Sequence, residues 1–166
     1  MKKKICLVRH AKSSWKHVHL ADFDRPLNKR GLRDAPYMGK LMKKQGIKPD
    51  LISTSPALRA YETAKKIAAE TGIAKNEIRK IDRLYAASTR EIFGIINELS
   101  DEYNFVMIFA HNPGLTNFSN QISDKHIDNI PTSAYVMMEI DAETWMSVDE
   151  ASAKIISFEY PKKYLN

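Results

Sequence analysis

At 166 residues, 43% hydrophobic and 28% charged, the chain has an ordinary globular composition, and one domain over residues 1–166 is expected, burying roughly 70% of the unfolded surface. No apolar run approaches the roughly 20 residues of a membrane span, the run after Met1-Lys2-Lys3-Lys4 is too short for a secretory core, and the lone Cys6 excludes an intrachain disulfide or a thiolate cluster, so a cytoplasmic protein is expected. The net charge of +6 favours an anionic partner without choosing among them; the dispersed basic residues and the absence of a nucleic-acid motif count against nucleic acid, and a phosphorylated substrate suits the charge equally well.

Taken in order, the first element is a strand at 4–9, built on Ile5-Cys6-Leu7-Val8 and followed by a polar loop over 11–27. Asn28 is placed to cap a helix whose apolar positions Leu32, Ala35, Met38, Gly39 and Met42 recur at helical spacing. Pro36 should kink that helix or mark a late start, and Gly46 should close it. A second strand is expected at 50–54. Ser55-Pro56 then reads as cap and first helical residue of a helix reaching Thr71 and burying Ala57, Tyr61, Ala64 and Ala68, with Gly72 at its end. A strand at 77–84 and a helix at 90–99 follow, the helix turning Ile92, Phe93, Ile96 and Leu99 inward. A strand over Phe105–Ala110 leads through Asn112-Pro113-Gly114 into a helix at 115–122. Two late strands, at 134–140 and 154–160, extend the sheet in an order and direction that pattern alone does not fix. Strands alternating with helices imply a three-layer α/β/α sandwich with a mostly parallel central sheet.

The chemistry gathers where strands end. Arg9-His10 directly follows the first apolar strand, and His111 directly follows the fourth. In open α/β sheets, ligands bind beyond the carboxyl ends of the strands, so the two histidines are read as one site. A neutral imidazole, with an ordinary pKa of about 6.5, is abundant near neutral pH and suited to act as a nucleophile. Arg9 and Arg59 present fixed forks of donors matched to phosphoryl oxygens. Arg59 falls in the first turn of its helix, where a cation opposes the macrodipole by about 0.3–1 kcal/mol. A bound phosphate reverses that penalty, and the helix terminus itself attracts the anion. His111 completes a pocket able to stabilise a transferring phosphoryl group. No metal ligand set and no cofactor motif is apparent.

Arg9-His10-Ala11 resembles the Arg-His-Gly signature of the histidine phosphatase superfamily, which has the phosphoglycerate-mutase-like fold. The run from Ser55 to Ala64 resembles its second motif, and Ala110-His111-Asn112-Pro113-Gly114 its third. The short chain, the segment from Asp22 to Gly31, Leu84-Tyr85-Ala86-Ala87-Ser88 and Pro131-Thr132-Ser133-Ala134 are similar to the compact SixA-type phosphohistidine phosphatases. The resemblance implies that His10 is phosphorylated, that Arg9, Arg59 and His111 complete the phosphate pocket, and that Arg25 is an auxiliary substrate contact. Larger members carry an acidic proton donor after the third strand. Leu84-Tyr85-Ala86-Ala87-Ser88 offers no carboxylate, and Asp22 is the preferred acid on the resemblance. Imidazole is a far better leaving group than an alkoxide, so a site with a weak acid suits a P–N bond.

Other readings stay open from sequence. A phosphatase for small phosphate esters would share every pocket residue, and a non-catalytic phosphate-binding module would share the arginines. A mutase would need an enclosing lid that this length does not supply. The substrate implied by the resemblance is a phosphohistidine-bearing signalling protein. His17 and His19 lack a third metal ligand and read as an exposed loop pair. Cys6 reads as a small buried hydrophobe. Trp15 could wall the pocket or pack the loop onto the domain.

Overall fold

The computed structural model describes residues 2–165. Six strands form one sheet: β1 (Lys3–Arg9), β2 (Leu51–Thr54), β3 (Ile78–Lys80), β4 (Phe105–Ala110), β5 (Tyr135–Ile140) and β6 (Ala153–Glu159), in the order β3-β2-β4-β1-β5-β6. The pairs β2/β3, β2/β4 and β1/β4 are parallel, while β5 runs antiparallel to both β1 and β6. Four helices are interleaved: α1 (Lys29–Lys44), α2 (Leu58–Thr71), α3 (Thr89–Asn97) and α4 (Gly114–Ile122). The α/β sandwich with a mostly parallel sheet is therefore the architecture.

Side-chain alternation along the central strands sorts the core into two layers. Ile5, Leu7, Val106 and Ile108 face α3 and α4, packing with Ile92, Ile96, Leu115 and Phe118. Cys6, Val8, Met107 and Phe109 face α1 and α2, packing with Met38, Met42, Ala64 and Ile67. Because β1 and β4 are buried on both faces, they read as continuous apolar runs.

The chain leaves β1 toward the α1/α2 face and leaves β4 toward the α3/α4 face. These two strands are neighbours, so the crevice between their carboxyl ends is a topological switch point, where open α/β sheets take ligands.

Several expected boundaries shift for identifiable reasons. The helix α1 begins at Lys29, with Asn28 Oδ1 accepting from the Gly31 N–H at 2.9 Å. It neither starts late nor stops at Pro36. Ala35, Met38 and Met42 are fully buried around the proline, and that packing offsets the missing backbone bond. Ser55-Pro56 does not open α2, which starts at Leu58 without any side-chain cap. The third strand is only three residues long, Ile78–Lys80 pairing with Ile52–Thr54; the Ile81 N–H bond to Thr54 O is followed by a tight 3-10 turn at Asp82–Leu84. No helix among the described residues is long and apolar enough to cross a membrane.

Candidate active site

Parallel register brings three chain segments to one edge of the sheet. Arg9 lies opposite Ala110, and Thr54 lies opposite Phe109. The next residues are tied in turn: the His10 N–H donates to Ala110 O at 3.3 Å, and the Ser55 N–H donates to Phe109 O at 2.9 Å. His10, His111 and Ser55 thus emerge side by side. The two imidazole rings lie 5.1 Å apart between centroids, tilted by 51°. Both histidines are buried, at 7% and 6% exposure.

Each ring is held by one nitrogen. His10 Nδ1 lies 2.8 Å from the carbonyl oxygen of Ala11. His111 Nε2 lies 2.8 Å from Ser55 Oγ, which also accepts from the Ala57 N–H. Thr63 braces the turn from beneath: its hydroxyl donates to Arg59 O and accepts from the Ala11 N–H at 2.9 Å, joining α2 to the residue after His10. A second brace is Gly31, where a Cβ would come within 2.2 Å of Lys12 O, so only glycine lets α1 press against the loop beside the site.

Three arginines surround the rings. Arg9 Nη1 donates to Ile130 O at 2.9 Å. Arg59, in the first turn of α2, donates to Asp22 O at 2.7 Å and to Asp22 Oδ2 at 3.0 Å. Arg25 Nε donates to Asp22 Oδ1 at 3.1 Å, its Nη1 donates to Ser13 Oγ at 2.8 Å, and its guanidinium stacks on the Trp15 ring at 3.6 Å. The Nε groups of Arg9 and Arg59 and Nδ1 of His111 are buried with no hydrogen-bond partner in the protein.

The electrostatics follow from burial and from this cation cluster. Desolvation, with smaller contributions from His111, Arg59 and Arg9 and against the Ala11 bond, pushes the His10 pKa down to about 3. Desolvation and Arg59 push His111 down to about 4. The Tyr85 hydroxyl, followed by Arg59 and Arg25, holds Asp22 down to about 2 against the opposing pull of desolvation.

All six residues singled out in the sequence lie in this one cluster: Arg9, His10, Arg25, Arg59 and His111, with Asp22 across the arginines. Asp22 differs in state from the proton donor expected of it. Bonded to two guanidinium groups, it is a carboxylate with no proton to give in this arrangement. Trp15 does stand at the site, 71% exposed and flat against Arg25. His17 and His19 lie on the exposed part of the loop, and among the described residues no group of three potential ligands could hold a metal ion. Sequence reasoning missed Ser55, Thr63 and Tyr85. The serine was read as a helix cap. Tyr85 donates to Asp22 Oδ2 at 2.6 Å and stands edge-on to His111, with centroids 5.7 Å apart. A separate cavity of about 330 Å³, lined by Lys2, Asp141 and Lys154, opens where β1 begins.

Known proteins resemble this chain in sequence and in fold. An uncharacterized protein of Mycobacterium leprae is 28% identical over 93% of this chain and 100% of its own length. A protein named as a candidate phosphohistidine phosphatase SixA from Agrobacterium tumefaciens superposes with a TM-score of 0.79 at 26% identity, covering 97% of this chain and 99% of that one. The protein histidine phosphatase SixA complexed with tungstate shares the fold, with a TM-score of 0.82 at 17% identity over 96% of this chain and 98% of that one. Residues 5–104, which carry His10, Arg25 and Arg59, match the histidine phosphatase superfamily, branch 1, and the chain belongs to that superfamily, with the compact fold of its SixA type.

Proposed function

We propose that this histidine phosphatase works through a covalent phosphohistidine on His10 and that its substrate is a phosphohistidine carried by another protein. The state of the His10 ring carries the reading. A carbonyl oxygen only accepts, so the bond to Ala11 puts the hydrogen on Nδ1 and leaves the Nε2 lone pair for attack. Burial keeps that ring neutral over the whole ordinary pH range.

In the first step Nε2 attacks phosphorus, the substrate P–N bond breaks, and the departing imidazole keeps the bonding pair and takes up a proton. In the second, water attacks the phosphorus on His10 and gives a proton to Asp22, the new P–N bond breaks with its electron pair returning to Nε2, and inorganic phosphate leaves. Arg9, Arg25 and Arg59 neutralise the phosphoryl oxygens, with His111 beside them; this transfer depends chiefly on positioning and charge. The buried donors of Arg9 and Arg59 without protein partners support an oxyanion here, as does the tungstate held by the SixA structure of the same fold. Asp22 is the carboxylate proposed to carry the leaving group's proton, a task open to it once its arginines turn to the phosphoryl group. No cofactor is proposed.

A protein-borne phosphoryl group is favoured by the rim. Trp15 and Val18, 71% and 92% exposed, stand on the loop that carries Arg25, where a small ester would leave them in water. The test compares wild type with His10→Ala on an aryl phosphate, a sugar phosphate and a phosphohistidine protein, with trapping of the phosphoenzyme. The expected result is complete loss of turnover and of labelling in the variant, and the highest kcat/KM for the phosphohistidine protein. Turnover surviving in His10→Ala overturns the mechanism; a sugar phosphate ranked first overturns the substrate.

A further inference from the structure

We infer that Tyr85 is a positioning residue that holds the Asp22 carboxylate across the phosphate-binding arginines, so that substrate enters by exchanging one anion for another. The inference rests on reading this pocket as a phosphoryl site and says what those arginines hold before substrate arrives.

The two oxygens of Asp22 are divided between two guanidinium groups. Oδ1 pairs with Arg25 Nε at 3.1 Å and Oδ2 with Arg59 Nη2 at 3.0 Å. A phosphoryl group bridging the same arginines would use the same kind of charge-assisted contact. One N–H cannot serve a carboxylate and a phosphoryl oxygen at full strength together, so substrate has to loosen Asp22. The Tyr85 hydroxyl donates to the same Oδ2 at 2.6 Å, so that oxygen is shared between the phenol and Arg59.

Of the two partners, Tyr85 is the fixed one. Its ring stands edge-on to His111, with centroids 5.7 Å apart. The next residue, Ala86, has φ of 53°, a left-handed conformation that a non-glycine residue keeps only when its surroundings dictate it. Ala87 supplies that constraint: its carbonyl oxygen packs so close to Gly114, at the start of α4, that a Cβ there would come within 2.1 Å. Asp22 is the movable one. It belongs to a three-residue 3-10 turn, Asp22–Asp24, with no side-chain cap and no buried residue, and its side chain is 49% exposed. A rigid phenol therefore sets where a mobile carboxylate rests.

This arrangement also selects among anions. A monoanion gains little by displacing a resident charge of equal size, whereas a dianionic phosphoryl group gains from both arginines. Tyr85 contributes to that threshold only through Asp22, never by touching phosphorus.

The experiment is calorimetric titration of inorganic phosphate into wild type, Tyr85→Phe, Asp22→Asn, the double variant and Arg59→Ala, with kcat and KM for an aryl phosphate measured in parallel. Tyr85→Phe should bind phosphate about three- to tenfold more tightly than wild type, the equivalent of one lost charge-assisted bond, and should lower KM by a similar factor without raising kcat. The double variant should bind no more tightly than Asp22→Asn alone. A residue that touches substrate gives the opposite sign. Weaker or unchanged phosphate binding in Tyr85→Phe, or gains that add in the double variant, would overturn the inference. The underlying reading is checked separately by Arg59→Ala, which should lose phosphate binding. Failure of wild type to bind phosphate at all would remove both.

Discussion

Arg9 and Arg59 hold both imidazoles neutral by charge, Arg25 adds to this at His111, and burial pushes in the same direction with greater force. The sign of the resulting pH dependence can be worked out. An imidazole with an unfolded pKa of about 6.5 and folded values of about 3 for His10 and about 4 for His111 binds more protons when unfolded. Stability is therefore complete above pH of about 6.5 and falls as the pH drops through that value, by up to about 1.4 kcal/mol per pH unit for each histidine until the folded values are reached. Denaturant unfolding of wild type and His10→Ala between pH 4 and 7 measures this slope, and the variant should show the smaller one. In catalysis, the free protein should give no break near pH 6.5 in kcat/KM once the substrate's own ionisation, with a second pKa of about 6, is divided out. A residual break of one proton near 6.5 would mean that His10 titrates as an ordinary histidine in spite of its burial.

At the scale of elements, the site is assembled by three strand ends and braced where backbone meets backbone. The clearest case is Gly114. Its substitution by alanine sets a Cβ against Ala87 O, a backbone atom that cannot swing aside. Overpacking of this kind costs about 1–3 kcal/mol, and here the strain is relieved by moving the turn that carries Tyr85. Gly114→Ala should accordingly lower the melting temperature and also change phosphate affinity, while the equally buried Ala64→Gly should lower stability alone. This element also separates what was legible in the sequence from what was not. His10 and His111 could be found because each follows an apolar strand, and strand ends are where α/β sites form. Arg59 stood out because a cation in a first turn is an electrostatic anomaly. Ser55 misled, since Ser-Pro is a good cap signature; its hydroxyl instead meets His111, 56 residues away. Tyr85 was illegible because its placement depends on a left-handed Ala86 and a close approach to Gly114, neither of which local pattern encodes. The late strands were found but not their direction, because periodicity is the same for parallel and antiparallel pairing.

For the molecule as a whole, the question is what size of substrate the surface admits. The proposed phosphate pocket lies at the switch point between β1 and β4, and the loop from β1 to α1 crosses beside it, carrying Arg25 toward the pocket and Trp15 and Val18 out to solvent. The two exposed residues are not equivalent as probes. Trp15 stacks on Arg25 at 3.6 Å, so Trp15→Ala loosens an arginine proposed to bind phosphate and should raise KM for every phosphorylated compound. Val18, 92% exposed, has almost nothing in its own protein to lose. If the phosphoryl group arrives on a protein whose surface covers this loop, Val18→Ser removes apolar contact made only in that complex, of about 1 kcal/mol for a partly covered side chain, and raises KM for a phosphohistidine protein about fivefold. The same variant should leave kcat and KM for an aryl phosphate at wild-type values, because a side chain 92% exposed supports little of the protein's own structure. A Val18→Ser enzyme indistinguishable from wild type on both substrates would place the partner on some other side of the pocket, and an equal loss on both would make Val18 part of the loop's internal order instead of its outer face.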